Sequence, residues 1–123
     1  MVKRLLITLT LALTLSGALT YQIIPLDQTN SHAFAALITG MTPSALSATV
    51  GVQSQNVTFN GLVHVTDGAI GWNLLAGQNT NCPLISVRIP SDNTFAFDFL
   101  NMAAQACTPN AGVYVIVVMR VGP

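Results

Sequence analysis

Apolar and polar residues along this chain alternate mainly at every second position, the period of a strand with one face covered. Val57, Phe59, Val63 and Val65 interleave with Thr58, Asn60, Leu62, His64 and Thr66, and Ile70, Trp72 and Leu74 alternate with Gly71 and Asn73. The clearest run sets Phe95, Phe97 and Phe99 against Ala96, Asp98 and Leu100, preceded by Ile85, Val87 and Ile89 against Ser86 and Arg88. Turn signals separate the runs: Asp67-Gly68 as a tight hairpin, residues 76–81 as a polar loop, and Pro90-Ser91-Asp92-Asn93 as a reversal.

The last run, residues 113–121, is apolar at both parities apart from Arg120 and mostly β-branched. Such a segment is expected to be a central strand covered on both faces, which requires a second layer. With residues 48–53 and one or two earlier extended segments, the count comes to about six to eight strands, at spacings typical of an antiparallel sandwich or barrel. Residues 32–39 fit either a short helix or a strand, and residues 101–106 a helical turn. The expectation is an all-β chain: an antiparallel β-sandwich, immunoglobulin-like or jelly-roll-like, behind an N-terminal apolar segment.

That segment has the layout of an export signal. Lys3 and Arg4 precede an apolar run over residues 5–15, and Ser16-Gly17-Ala18 supplies small residues for cleavage after Ala18 or, as second choice, after Thr20. A spanning helix needs about 20 apolar residues, and this run is shorter. Residues 1–20 are therefore expected to be a signal peptide, or else a retained apolar segment through which alone the chain would touch a membrane. Residues 21–123 are expected to form a single domain. An apolar segment ahead of a β-domain resembles the layout of type IV pilins. The chain departs from that family's pattern, because no acid precedes Asp27. No cysteine follows the apolar run, so a thioether lipid anchor is not expected.

Charge narrows the picture further. After residue 20 the chain has no lysine and no glutamate; Arg88 and Arg120 stand against Asp27, Asp67, Asp92 and Asp98, a balance of 2 − 4 = −2. A free domain normally carries about a quarter charged residues. A surface this poor in charge is expected to be covered by sister subunits, another partner, glycan or lipid. Two arginines cannot neutralise a phosphate backbone, which argues against nucleic acid.

Candidate chemistry is sparse. Cys82 and Cys107, the only cysteines, are an even count in an exported chain and are expected to pair, at a gain of about 3 kcal/mol in the chain-entropy model. His32 and His64 lie far from them in sequence, so no metal site is expected. A Ser-His-Asp set built from His64, Asp67 and a serine lacks a nucleophile-elbow pattern, and four scattered aspartates make no paired-carboxylate site. Asp92-Asn93-Thr94 is better read as a turn than as part of a calcium loop. No catalytic residue, metal ligand or cofactor is assigned, and an enzyme is not expected. Asn56-Val57-Thr58 is an N-glycosylation sequon.

The most pointed feature is the start of the mature chain. Tyr21, Gln22, Ile23, Ile24, Pro25 and Leu26 form an extended apolar stretch followed by the polar Asp27-Gln28-Thr29-Asn30. Such a stretch suits an intersubunit strand that completes a neighbour's sheet, which repeated head to tail yields a filament. Its other placement is as the first strand of its own sandwich.

The expectation is a secreted structural protein that self-assembles into an extracellular filament, fibre or surface layer, with copies of itself as partners. The alternative is a monomeric sandwich that binds a small apolar ligand or lipid, lined by Phe95, Phe97, Phe99, Trp72 and Met119. Asn81-Cys82-Pro83-Leu84 before an aromatic alternating strand is faintly similar to a stretch of secreted lipid-recognition domains, whose further cysteines this chain lacks. A β-pore is disfavoured, since the last strand has no polar face.

Overall fold

A computed structural model describes residues 19–26 and 32–120. The cleavage region up to Ala18, Asp27 and the end of the expected last strand lie outside the described residues. Seven strands form: β1 (Thr20–Pro25), β2 (Ala33–Met41), β3 (Gly51–Thr58), β4 (Gly68–Leu74), β5 (Leu84–Ser91), β6 (Thr94–Asn101) and β7 (Gly112–Met119). All pairings are antiparallel, in one sheet of order β1-β2-β7-β4 and one of order β3-β6-β5. No helix occurs among the described residues, so of residues 32–39 all but His32 resolve as strand, and of residues 101–106 Asn101 ends β6 and the rest are irregular loop.

The sheets share one core, in a sandwich-like arrangement. Phe34, Ala36 and Ile38 of β2 and Tyr114, Ile116 and Val118 of β7 meet Phe95, Phe97 and Phe99 of β6, all nearly or fully buried. The ring of Tyr114 bridges the layers, 5.5 Å from that of Phe97 and 6.5 Å from that of Phe99, both edge-on. Its hydroxyl donates to the Asn110 carbonyl at 2.6 Å, and burial pushes its pKa up to about 12. This bond to the backbone a few residues upstream has the form of the tyrosine corner of β-sandwiches.

Four strands over three matches the constant-type immunoglobulin count, but here β5 and β7 have changed sheets relative to that order. The cause is local. Asp92-Asn93 closes a tight turn between β5 and β6, with Asn93 at φ 67, and this hairpin holds β5 beside β6. The Pro90-to-Asn93 reversal is thus as expected.

Two local expectations fail. Residues 59–67 are a loop rather than a continuation of the strand ending at Thr58. Leu62 and Val63 are consecutive and both buried, which no strand on a half-covered face allows, while Val65 is 53% exposed. Gly61, at φ 77, turns the chain there. Asp67-Gly68 makes no hairpin either, because β4 pairs with the distant β7 instead of with the preceding segment. The Asp67 carboxylate accepts the His64 N–H at 2.9 Å and stabilises the loop.

The last strand is central, as expected, but only its inner face is fully covered. Tyr114, Ile116 and Val118 are buried, whereas Val113, Val115 and Val117 remain half-buried on the outside.

Candidate functional site

Position in the sheet explains why residues 21–26 behave unlike any other strand. β1 lies at an edge and pairs with β2 of its own chain in unbroken register, from Thr20 opposite Thr39 to Pro25 opposite Phe34. The Leu26 N–H donates to the Ala33 carbonyl at 3.0 Å and extends the ladder by one residue. Pro25, which has no N–H to donate, is tolerated because the strand is at an edge.

What the strand lacks is burial. Tyr21 and Ile23 point to the inner side, Ile24 to the outer, yet their exposures are alike at 41%, 42% and 41%. The inner side chains of β2 that they oppose, Ile38 and Ala36, are fully buried. One side chain of β1 finds a partner ring: Tyr21 meets Phe59 edge-on at 4.9 Å. β1 is therefore held by main-chain hydrogen bonds and by side chains that are only partly covered, and among the described residues no strand pairs with its outer edge.

The other assigned residues lie away from β1. Cys82 and Cys107 form the expected disulfide, with Cα atoms 6.2 Å apart, and join the β4–β5 loop to the β6–β7 loop. Leu46 bridges to Cys107 through a 2.7 Å N–H to carbonyl bond, bringing in the β2–β3 loop. Asn56 is exposed on β3 opposite Ala96, and Thr58 of its sequon is exposed on the same face.

The sequence reading passed over three polar residues at the disulfide end. Asn101, fully buried, donates to the carbonyls of Ser47 at 2.8 Å and Gln105 at 3.0 Å and accepts from the Ala103 N–H at 3.1 Å. Gln53 and Gln55 stand on the core side of β3, in line with buried Val57. The Gln55 amide pairs with both backbone groups of Ser44 at 2.8 Å, and Gln53 accepts from Ser47 N at 2.8 Å and donates to Ser47 O at 3.1 Å. Two glutamines at inward positions of an alternating strand were the available signal, since polar groups on a core face need partners.

The charged residues are engaged in holding the fold. Arg88 grips Asp98 through Nε at 2.7 Å and Nη2 at 2.8 Å, and Ser54 adds a hydroxyl donor. The guanidinium bond holds the Asp98 carboxyl below its ordinary pKa, against a burial effect that acts upward. Asp92 accepts the Val65 N–H at 2.8 Å, which ties the β5–β6 turn to the loop at 59–67. Arg120 donates to the Leu62 carbonyl at 2.9 Å and stacks over Phe34 at 4.9 Å. His64, the base of the paper triad, is exposed, and Asp67 is bound to its backbone N–H.

Among the described residues no three His, Cys, Asp or Glu side chains gather in a metal-binding group, and no helix is long and apolar enough to cross a membrane. Comparison of the chain with family models, with curated proteins and with solved structures finds no match.

Proposed function

We propose that this is a secreted structural protein that assembles with copies of itself into an extracellular filament or layer, by exchange of β1 between neighbours. The observation that carries this reading is the contrast within β1: a complete backbone ladder to β2, and side chains about two-fifths exposed on both faces. A strand bound in this way regains the same hydrogen bonds, and the same partial cover of its side chains, on the β2 of another copy. The β2 it exposes cannot remain bare, because an open edge above a covered face invites pairing. Head-to-tail repetition of such a contact is open-ended.

The scarcity of charge supports the same reading, as does the disulfide, which suits an oxidising compartment. The sandwich core is the fixed body and β1 the linking arm. Phe95 packs on Phe97, and Phe97 and Phe99 pack on Tyr114, which leaves the ligand-binding alternative without an observation in its favour.

Deletion of residues 21–26 tests the reading. The exported wild-type protein, purified without reductant, is expected to form regular filaments or sheets in electron micrographs, and the deletion variant to form neither. Unchanged assembly by the truncated chain would refute exchange of β1.

A further inference from the structure

The outer face of the four-stranded sheet is the second feature that assembly by β1 alone does not use. Register places two rows across it: Ile24, Ala35, Val117 and Gly71, then Gln22, Leu37, Val115 and Asn73. Neither row contains a charged residue. Every charge among the described residues lies elsewhere: Arg88 and Asp98 on the outer face of the other sheet, and Asp67, Asp92 and Arg120 in loops and turns. The two outer faces of the sandwich thus differ in kind, one carrying an ion pair and the other none.

We infer that this face packs against the same face of a second copy, as the lateral contact between assembled chains; the inference rests on the assembly reading above. Three properties single out a second copy as the occupant. An isologous contact sets like faces together, so that charge near the twofold axis would meet its own twin, and this face has none. Its first row alternates larger and smaller side chains, Ile24 and Val117 beside Ala35 and Gly71, so ridges on one copy meet hollows on the other across a twofold axis. The face also includes Gln22 and Ile24 of β1, so the exchanged strand carries part of this surface onto the neighbouring body and makes the two contacts continuous.

Size sets how strong the contact is. Four strands about 4.8 Å apart and six residues long at about 3.3 Å each cover roughly 400 Å², or roughly 800 Å² over both partners. A stable free-standing complex buries about 1,200–2,000 Å². The face therefore gives weak pairing of free chains and firm side-by-side association only once many copies are linked end to end.

Val117→Lys in the full-length oxidised chain tests this. Val117 is half-buried on the outer side of β7, so a lysine there points away from the core. Asn73→Lys, at an exposed position on the edge strand β4, is a second variant that cannot disturb packing. The wild-type chain is expected to show weak, concentration-dependent pairing in sedimentation equilibrium, weakened at least about tenfold in either variant, and wild-type filaments to associate laterally while variant filaments stay single. If exchange of β1 fails as a reading, no filaments form from any of the three chains, yet the pairing and its loss remain. Folded variants that associate as the wild type does would overturn the inference, and so would a loss confined to binding of phosphatidylcholine vesicles.

Discussion

The disulfide end of the molecule and the β1 edge are built on opposite principles. At the disulfide end, loops are cross-linked by side chains: Cys82 to Cys107, Asn101 to Ser47 and Gln105, Gln53 and Gln55 to residues 44–49. β1 has a backbone ladder to one neighbour and a single ring contact. The first arrangement cannot open without breaking covalent and buried polar bonds. The second can be remade on another molecule. In the proposed exchange, rigidity in one region allows the other to move between copies, because a body that donates and accepts a strand has to hold its shape meanwhile.

The sharpest way to break the contrast is to cut the staple. Replacing both cysteines, with Cys82→Ser and Cys107→Ser, is expected to destabilise the fold by about 3 kcal/mol and to raise the denaturant m-value, since the unfolded chain expands. Urea unfolding of variant and wild type under non-reducing conditions checks it. An unchanged midpoint would mean that the buried polar bonds hold the three loops together by themselves.

Of the two regions, the disulfide end was the less legible in sequence apart from its cysteines. The pairing of Cys82 with Cys107 follows from their count, and the β5–β6 hairpin from Asp92-Asn93 between two alternating runs. Asn101 gives no local sign of its role, because its partners at 47 and 105 are set by how three loops pack. The loop at 59–67 misled for the same reason: Phe59, Leu62 and Val63 are apolar because the loop covers the core, and their spacing imitates a strand. β4 pairs with β7 across more than 40 residues, so Asp67-Gly68 could not reveal that it opens a strand instead of turning a hairpin. For β1, the apolar stretch was visible as a strand, but its equal exposure on both faces depends on its place at the edge of the sheet.

Within the disulfide end, Asn101→Ala separates the polar bonds from the covalent one. Its carboxamide makes three hydrogen bonds in a site with no exposure, and the substitution leaves the Ser47 and Gln105 carbonyls and the Ala103 N–H without that partner. The expected cost is about 2 kcal/mol, read as a lowered thermal midpoint with the disulfide intact. A cost near zero would show that the staple alone fixes the loops and that the glutamine and asparagine bonds follow from it.

The smallest expected effect on stability falls at Tyr21, and it bears most directly on exchange. A strand with equally exposed faces has weak side-chain specification of register, since a slip by one residue exchanges one set of half-exposed side chains for another. The edge-on contact of Tyr21 with Phe59 breaks that equivalence, because a slip carries the ring to the outer face and away from Phe59. Tyr21→Ala is therefore expected to cost about 1 kcal/mol of stability or less, while leaving the ladder to β2 free to form in more than one register. Amide hydrogen exchange on the variant should show faster exchange confined to β1 and β2, with β6 and β7 unchanged. Uniform acceleration across both sheets would instead mean that the ring pair stabilises the whole fold, and that the register of β1 is fixed by its backbone and by Pro25 at its end.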